Sequence, residues 1–447
     1  MAAPASLIRN ATILTMNDAL ETIEGAVLVR GGRIAAVGPE PEDTRGLSII
    51  DAAGAYLLPG FIQTHVHLCQ TVFRGVADDM PLLEWLGTRV WPMEAAHTPE
   101  TLRASARLGA AELLLTGTTT ALTMETVHDT DVVFEVLDAM GMRAIVGKCM
   151  MDAPGDAPRR LQEQTTASID ESVALAKRWN DRNGRLRAAF APRFAISCSR
   201  ELLEAVASLS HEHGVLVHTH ASENRDEIDV VRQISGGMRN VEYLAHVGLA
   251  TPHLCAAHCV WVDDAEQAIL AERKVKVLHC PGSNLKLGSG IAPVVEMRAR
   301  GISVSLGADG AACNNRLDMF DEMRLAATLQ SVRHRPGALT ARDAVWMATR
   351  EGARALGLDA EIGSVEVGKR ADLILIDRTG VGLAPDADPW SSIVYAARGT
   401  DVTMTMVDGE ILTRGHQLVH DDAAEITADG RAAARQLAAE VGLAGPR

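Results

Sequence analysis

The chain has 447 residues, 47% of them hydrophobic and 23% charged, enough to bury a large core in two or three domains or in one large barrel with an appendage. A formal charge of −15, with no Lys/Arg stripe and no interleaved aromatics, argues against nucleic acid or an anionic membrane as a partner. The start of the chain has no basic-then-apolar leader and no apolar run approaches spanning length, so a cytoplasmic protein is expected; seven scattered cysteines read as free buried thiols.

Short extended pieces with turn signals fill the first sixty residues: "SLIRNATILTM", "AVLVRGGRIAAVG" with a Gly-Gly hairpin signal, and "AYLLPGFIQTHVH". Strand-like runs then alternate with amphipathic helical ones to about residue 310. The strands are FIQTHVH, GTTTALTM (117–124), MRAIVGKCM (142–150), RLRAAFAPR (185–193), GVLVHTH (214–220), LCAAHCV (254–260), VKVLHCP (275–281) and ISVSLGAD (302–309). Helical runs such as TPETLRASARLGAAELLLTG and SRELLEAVASLSHEHG open on Ser or Thr and close on Gly. Eight strand-then-helix units predict a closed parallel (β/α)₈ barrel over residues 59–361. Residues 1–58 and 362–420 are extended runs expected to pair as one small β-sandwich, and 421–447 is a helical tail.

In such a barrel, chemistry sits at the C-terminal strand ends. Those ends carry His65 and His67, Arg193, His220, His258, His279 and Asp309. Alternation along a strand points His65 and His67 the same way, so both meet one ion. His220 and Asp309 complete a His₃Asp shell suited to zinc or ferrous iron, a cation that lowers the pKa of bound water toward neutrality. Glu223 and His258 are then placed for proton transfer. The similar pair His211 and His213 ends a helix, where residues two apart diverge, and reads as solvated surface; His218 lies one pleat deeper and reads as core. No CxxC, Walker loop, HExxH, Gly-rich dinucleotide turn or HxE…PCxxC pattern is present.

The set PGFIQTHVH, HTHASE, AHCV, HCPGSNLKLGSGIAP and LGADGAACNN, closed by GSVEVGKRADLILID, resembles the amidohydrolase superfamily across nearly the whole chain. It is most similar to the aminohydrolase branch of nucleobase and nucleoside deaminases and s-triazine hydrolases. The resemblance implies one divalent metal on His65, His67, His220 and Asp309, with zinc expected and ferrous iron the alternative. It also implies Glu223 as proton shuttle, His258 as the group orienting water, and Asp309 as acceptor of the water's proton. No strand-four lysine offers a bridge to a second metal.

The segments GMRAIVGKCMMD, APRFAISCS and HASENRDEIDVV look like guanine deaminase in particular. On that resemblance Gln70 and Arg193 grip an oxopurine ring, the alternatives being a loop role for Gln70 and a structural ion pair for Arg193. Trp85 and Glu94, in the excursion after the first barrel strand, are expected over the pocket, and His279 beside substrate or in a supporting hydrogen bond. The favoured activity is hydrolytic deamination of guanine to xanthine and ammonia, or of a related oxopurine or pterin. LGADGAACNNRLDMFDEMRLA and NLKLGSGIAP point instead to adenosine, methylthioadenosine or S-adenosylhomocysteine deaminases, or to triazine hydrolases, and keep that alternative open. The expected partners are a small heterocyclic substrate and, by analogy with relatives, a second copy of the chain in a dimer.

Overall fold

The buried run Phe61–His67 is the first barrel strand in the computed structural model, which describes residues 5–443 apart from 154, 156, 181 and 182. Five strands precede it: β1 Ser6–Leu14, β2 Thr22–Arg30, β3 Arg33–Gly38, β4 Ser48–Asp51 and β5 Tyr56–Pro59. The barrel consists of β6 Phe61–His67, β7 Thr118–Met124, β8 Arg143–Met150, β9 Leu186–Pro192, β10 Val217–Ala221, β11 Leu254–His258, β12 Lys276–His279 and an eighth strand in two pieces, β13 Ser303–Leu306 and β14 Asp309–Gly310. All neighbours are parallel, in the order β13-β12-β11-β10-β9-β8-β7-β6-β14. Because β13 pairs with β12 while β14, two residues on, pairs with β6, the sheet closes on itself.

The closing seam explains why a buried strand carries Gln63 and Thr64. Gln63 Oε1 accepts from Ala308 N at 2.8 Å and Thr64 Oγ1 donates to Leu306 O at 2.8 Å, so both side chains replace ladder bonds that the split strand lacks. Between the two pieces stands Gly307, where a Cβ would lie 2.7 Å from His65 N. Only a bare backbone lets the eighth strand approach the histidine strand so closely.

The chain ends form a second sheet, ordered β18-β17-β16-β15-β5-β1-β2-β3 with β4 beside β1; its late strands are β15 Leu373–Ile376, β16 Val402–Val407, β17 Glu410–Arg414 and β18 Gln417–Leu418. The Gly-Gly hairpin forms as expected, with Gly31 and Gly32 at φ 57° and 77° between paired Arg30 and Arg33. Ile13, Val27, Leu57, Leu373 and Met406 share one apolar core. Where sheet meets barrel, Arg143 donates to Asp372 at 2.7 Å and to Asp408 at 2.7 Å, a largely buried ionic joint. The terminal helix Ala423–Glu440 contributes Ala433, Ala434 and Leu437 to the cluster beneath Leu82, Trp85 and Leu86, the segment covering the barrel mouth. Among the described residues no helix is long and apolar enough to cross a membrane.

Candidate active site

Alternation along β6 brings both of its histidines to the barrel mouth, where they meet the ends of β10 and β14. Ligating atoms of His65, His67, His220 and Asp309 all lie within 4.8 Å of one another. His65 Nε2 and His67 Nε2 stand 3.3 and 3.2 Å from Asp309 Oδ1, and His220 Nε2 stands 3.3 Å from His67 Nε2. Nitrogen and oxygen ligands about 2.0–2.1 Å from a tetrahedral ion are roughly 3.3–3.4 Å apart, so these spacings suit one small divalent cation.

Each imidazole is oriented through its other nitrogen. His67 Nδ1 donates to Met124 O at 2.7 Å and His220 Nδ1 to Arg193 O at 2.6 Å. His65 Nδ1 lies 2.6 Å from His218 Nε2, so the histidine read as core is the outer partner of a ligand. With their protons held on Nδ1, all three rings turn a bare Nε2 inward, the form a metal requires. His65 Nε2 is buried and has no protein hydrogen-bond partner, which again suits an ion.

His258 and Glu223 face the same space. His258 Nε2 lies 3.5 Å from Glu223 Oε2 and 3.8 Å from Asp309 Oδ2. Burial raises the Glu223 carboxyl above its usual range, partly opposed by His258. Burial alone would lower His258, but Glu223 and Asp309 outweigh it and raise the imidazole. Burial likewise would raise Asp309, yet His65, His67 and His258 hold it well below the usual carboxylate range. Burial takes His65 down to about 4. The result is an ionised Asp309 carboxylate, with a carboxyl that can hold a proton nearby. Backbone strain gathers here too: Ser222, His258, Cys259 and Asp309 all have positive φ, from 48° to 71°.

A cavity of about 30 Å³ lies over this group, lined by His67, Gln70, Trp85, Arg193, Glu223 and His258 among others, and roofed by Leu82, Leu86, Phe194 and Leu287. Glu94 and His279 do not line it. Glu94 sits behind the wall and takes both Arg193 Nη1 (2.6 Å) and Nη2 (3.2 Å), and also Gln70 Nε2 (3.0 Å). The ion-pair alternative for Arg193 is therefore what the structure contains, while the side chain still faces the cavity. His279 is buried with neither ring nitrogen partnered. All seven cysteines are free and buried.

Several side chains here had escaped the sequence reading. Glu125 accepts from Cys69 N at 2.8 Å and Leu68 N at 3.3 Å, fixing the turn after His67. Glu227 lines the cavity and accepts from Glu223 N at 2.8 Å. Its signal was the Asn224-x-x-Glu227 capping pattern, an ordinary helix start in which nothing local reveals burial.

The Amidohydrolase family profile matches residues 56–412, and the chain belongs to that family. The match, the barrel and relatives named as deaminases place it in the superfamily's deaminase branch, enzymes that hydrolyse C–N bonds. It is 41% identical over 434 residues to a 5'-deoxyadenosine deaminase of Methanobrevibacter smithii, covering 96% of this chain and 98% of the relative. It is also 41% identical over 441 residues to a 5-methylthioadenosine/S-adenosylhomocysteine deaminase of Symbiobacterium thermophilum, covering 97% and 99%. Among solved structures, an adenosine deaminase from Xanthomonas campestris with bound zinc superposes with a TM-score of 0.91 at 33% identity, covering 98% and 100%. The guanine deaminase of E. coli superposes with a TM-score of 0.82 at 29% identity, covering 93% and 100%. Relatives matched over almost the whole chain thus favour the adenosine-type alternative over the guanine expectation.

Proposed function

We propose that the chain is a zinc-dependent deaminase of adenosine-type nucleosides, the class containing 5'-deoxyadenosine, 5'-methylthioadenosine and S-adenosylhomocysteine. The observation carrying this reading is the His₃Asp group with Glu223 and His258 facing it, in a chain 41% identical over 434 residues to a 5'-deoxyadenosine deaminase. Relatives matched over almost the whole chain and named as deaminases of adenosine-type nucleosides support this reading over the oxopurine one.

His65, His67, His220 and Asp309 would hold the metal. When bound, such a cation polarises water enough to form hydroxide near neutral pH. Glu223 holds a proton and gives it to N1 of the 6-aminopurine, which draws electrons from C6. Water adds to C6 as Asp309 takes its proton. His258 orients that water, its Nε2 accepting from it. The proton on Asp309 passes to the amine, the C6–N bond breaks, and the remaining hydroxyl proton on C6 returns to Glu223, so ammonia and the 6-oxopurine leave and both carboxyls are restored. Trp85 and Leu86 exclude bulk water from the step.

The test is metal removal and return. Chelated protein should lose ammonia release from 5'-deoxyadenosine and regain it with about one equivalent of zinc. Activity that survives complete chelation would end the proposal.

A further inference from the structure

The stretch Pro281–Gly290, prominent in the sequence, lines no part of the metal group, yet it touches both side chains assigned to proton handling. We propose that it is the positioning element of the site, with Asn284 fixing the tautomer of His258 and Ser289 fixing which Glu223 oxygen is free; this rests on the roles given above to His258 and Glu223.

Asn284 is 1% exposed, and its Oδ1 lies 2.9 Å from His258 Nδ1. An amide oxygen only accepts, so a neutral His258 carries its proton on Nδ1 and presents a bare Nε2 to the reacting water. Nε2 has no hydrogen-bond partner and faces Glu223 and Asp309. An amide suits this task better than a carboxylate, because it sets the tautomer without adding another negative charge to a closed pocket. Ser289, 2% exposed, donates Oγ–H to Glu223 Oε1 at 3.2 Å, which leaves Oε2 as the oxygen beside His258.

The two contacts are mechanically one. Ser289 N and Gly290 N both donate to Asn284 O, at 2.8 and 3.3 Å, so the loop closes on the residue that holds His258. Trp261 Nε1 donates to Ser289 O at 2.6 Å and the Arg225 guanidinium covers the indole at 3.9 Å, clamping the loop from outside. Gly290 has φ 130° and a Cβ there would lie 3.0 Å from Trp261, so the clamp depends on glycine. Asn284 and Ser289 act through other residues and are positioning residues.

Steady-state kinetics on 5'-deoxyadenosine and ¹⁵N NMR of histidine-labelled, zinc-loaded protein test this together, the His258 signals being assigned from their loss in His258→Gln. Asn284→Leu should lower kcat ~100-fold, the scale of one misplaced acid-base group, with KM little changed and metal content full. His258 should then lose its pure Nδ1–H signature. Asn284→Asp, which keeps the acceptor, should recover most of the lost kcat, and Ser289→Ala should lower kcat several-fold without changing the melting temperature. Should Asn284→Leu fail to fold, Asn284→Ala also withdraws the acceptor and takes its place. An unchanged tautomer and kcat in a metal-replete variant, while His258→Gln is inactive, would overturn this proposal alone. A shifted tautomer with full kcat would show that His258 is not the proton-handling group, and would overturn both readings.

Discussion

Breaking the Arg193–Glu94 pair should expose how the pocket wall is held. The pair is nearly dry, Arg193 being 4% and Glu94 3% exposed, and it joins residues 99 positions apart through two nitrogens. Arg193→Met leaves the Glu94 carboxylate with only Gln70 Nε2, and Glu94→Gln leaves a buried guanidinium; removing one partner of such a pair costs about 3–5 kcal/mol. The double variant orphans neither charge, so it should cost less than the sum, with a coupling of at least ~3 kcal/mol. Urea unfolding of the metal-loaded proteins, followed by tryptophan fluorescence, measures all four corners of the cycle. Metal affinity should hold throughout, because His220 Nδ1 donates to the Arg193 backbone oxygen rather than to its side chain. Costs that add to within ~0.5 kcal/mol would refute the argument, since independent sites behave that way.

Three further outcomes are expected. His218→Leu removes the acceptor 2.6 Å from His65 Nδ1 and should weaken metal affinity ~10- to 100-fold, measured by competition with a chelator dye. Trp85→Ala strips an aromatic face from the cavity and should raise KM about 2- to 10-fold with a smaller effect on kcat; a collapse of kcat at constant KM would contradict a covering role. Burial pushes the Glu322 carboxyl up to about 8, against 4.5 when free. The unfolded chain therefore loses this proton at lower pH than the native one, so stability falls as pH rises from about 4.5 through about 8. Glu322→Gln should remove that part of the slope in melting temperature against pH, and an unaltered slope would refute it.

The metal group was legible because its signal is local. Two-residue alternation puts His65 and His67 on one face of a strand, and a parallel barrel gathers the ends of β6, β10 and β14 at one mouth. Glu94 was expected over the pocket and instead stands behind its wall, because an ion pair between residues 99 positions apart has no periodicity to announce it. The seam at Gly307 was equally silent, since its reason is a neighbour on another strand, His65. Asn284 and Ser289 stood inside a recognised motif, but only the fold shows which atoms of His258 and Glu223 they touch. Substrate choice was misjudged for a different reason: Gln70 and Arg193 do reach the cavity, but their presence there does not by itself select the ring, and the relatives matched over almost the whole chain point to the adenosine type.

The most direct test of the central claim compares kcat/KM of the zinc-loaded enzyme for 5'-deoxyadenosine, 5'-methylthioadenosine, S-adenosylhomocysteine and guanine, by ammonia release. The account predicts stoichiometric ammonia and a 6-oxopurine product from at least one of the nucleosides, with guanine turned over at least a hundredfold less efficiently. Preferential turnover of guanine, or no ammonia from any of the nucleosides, would contradict it.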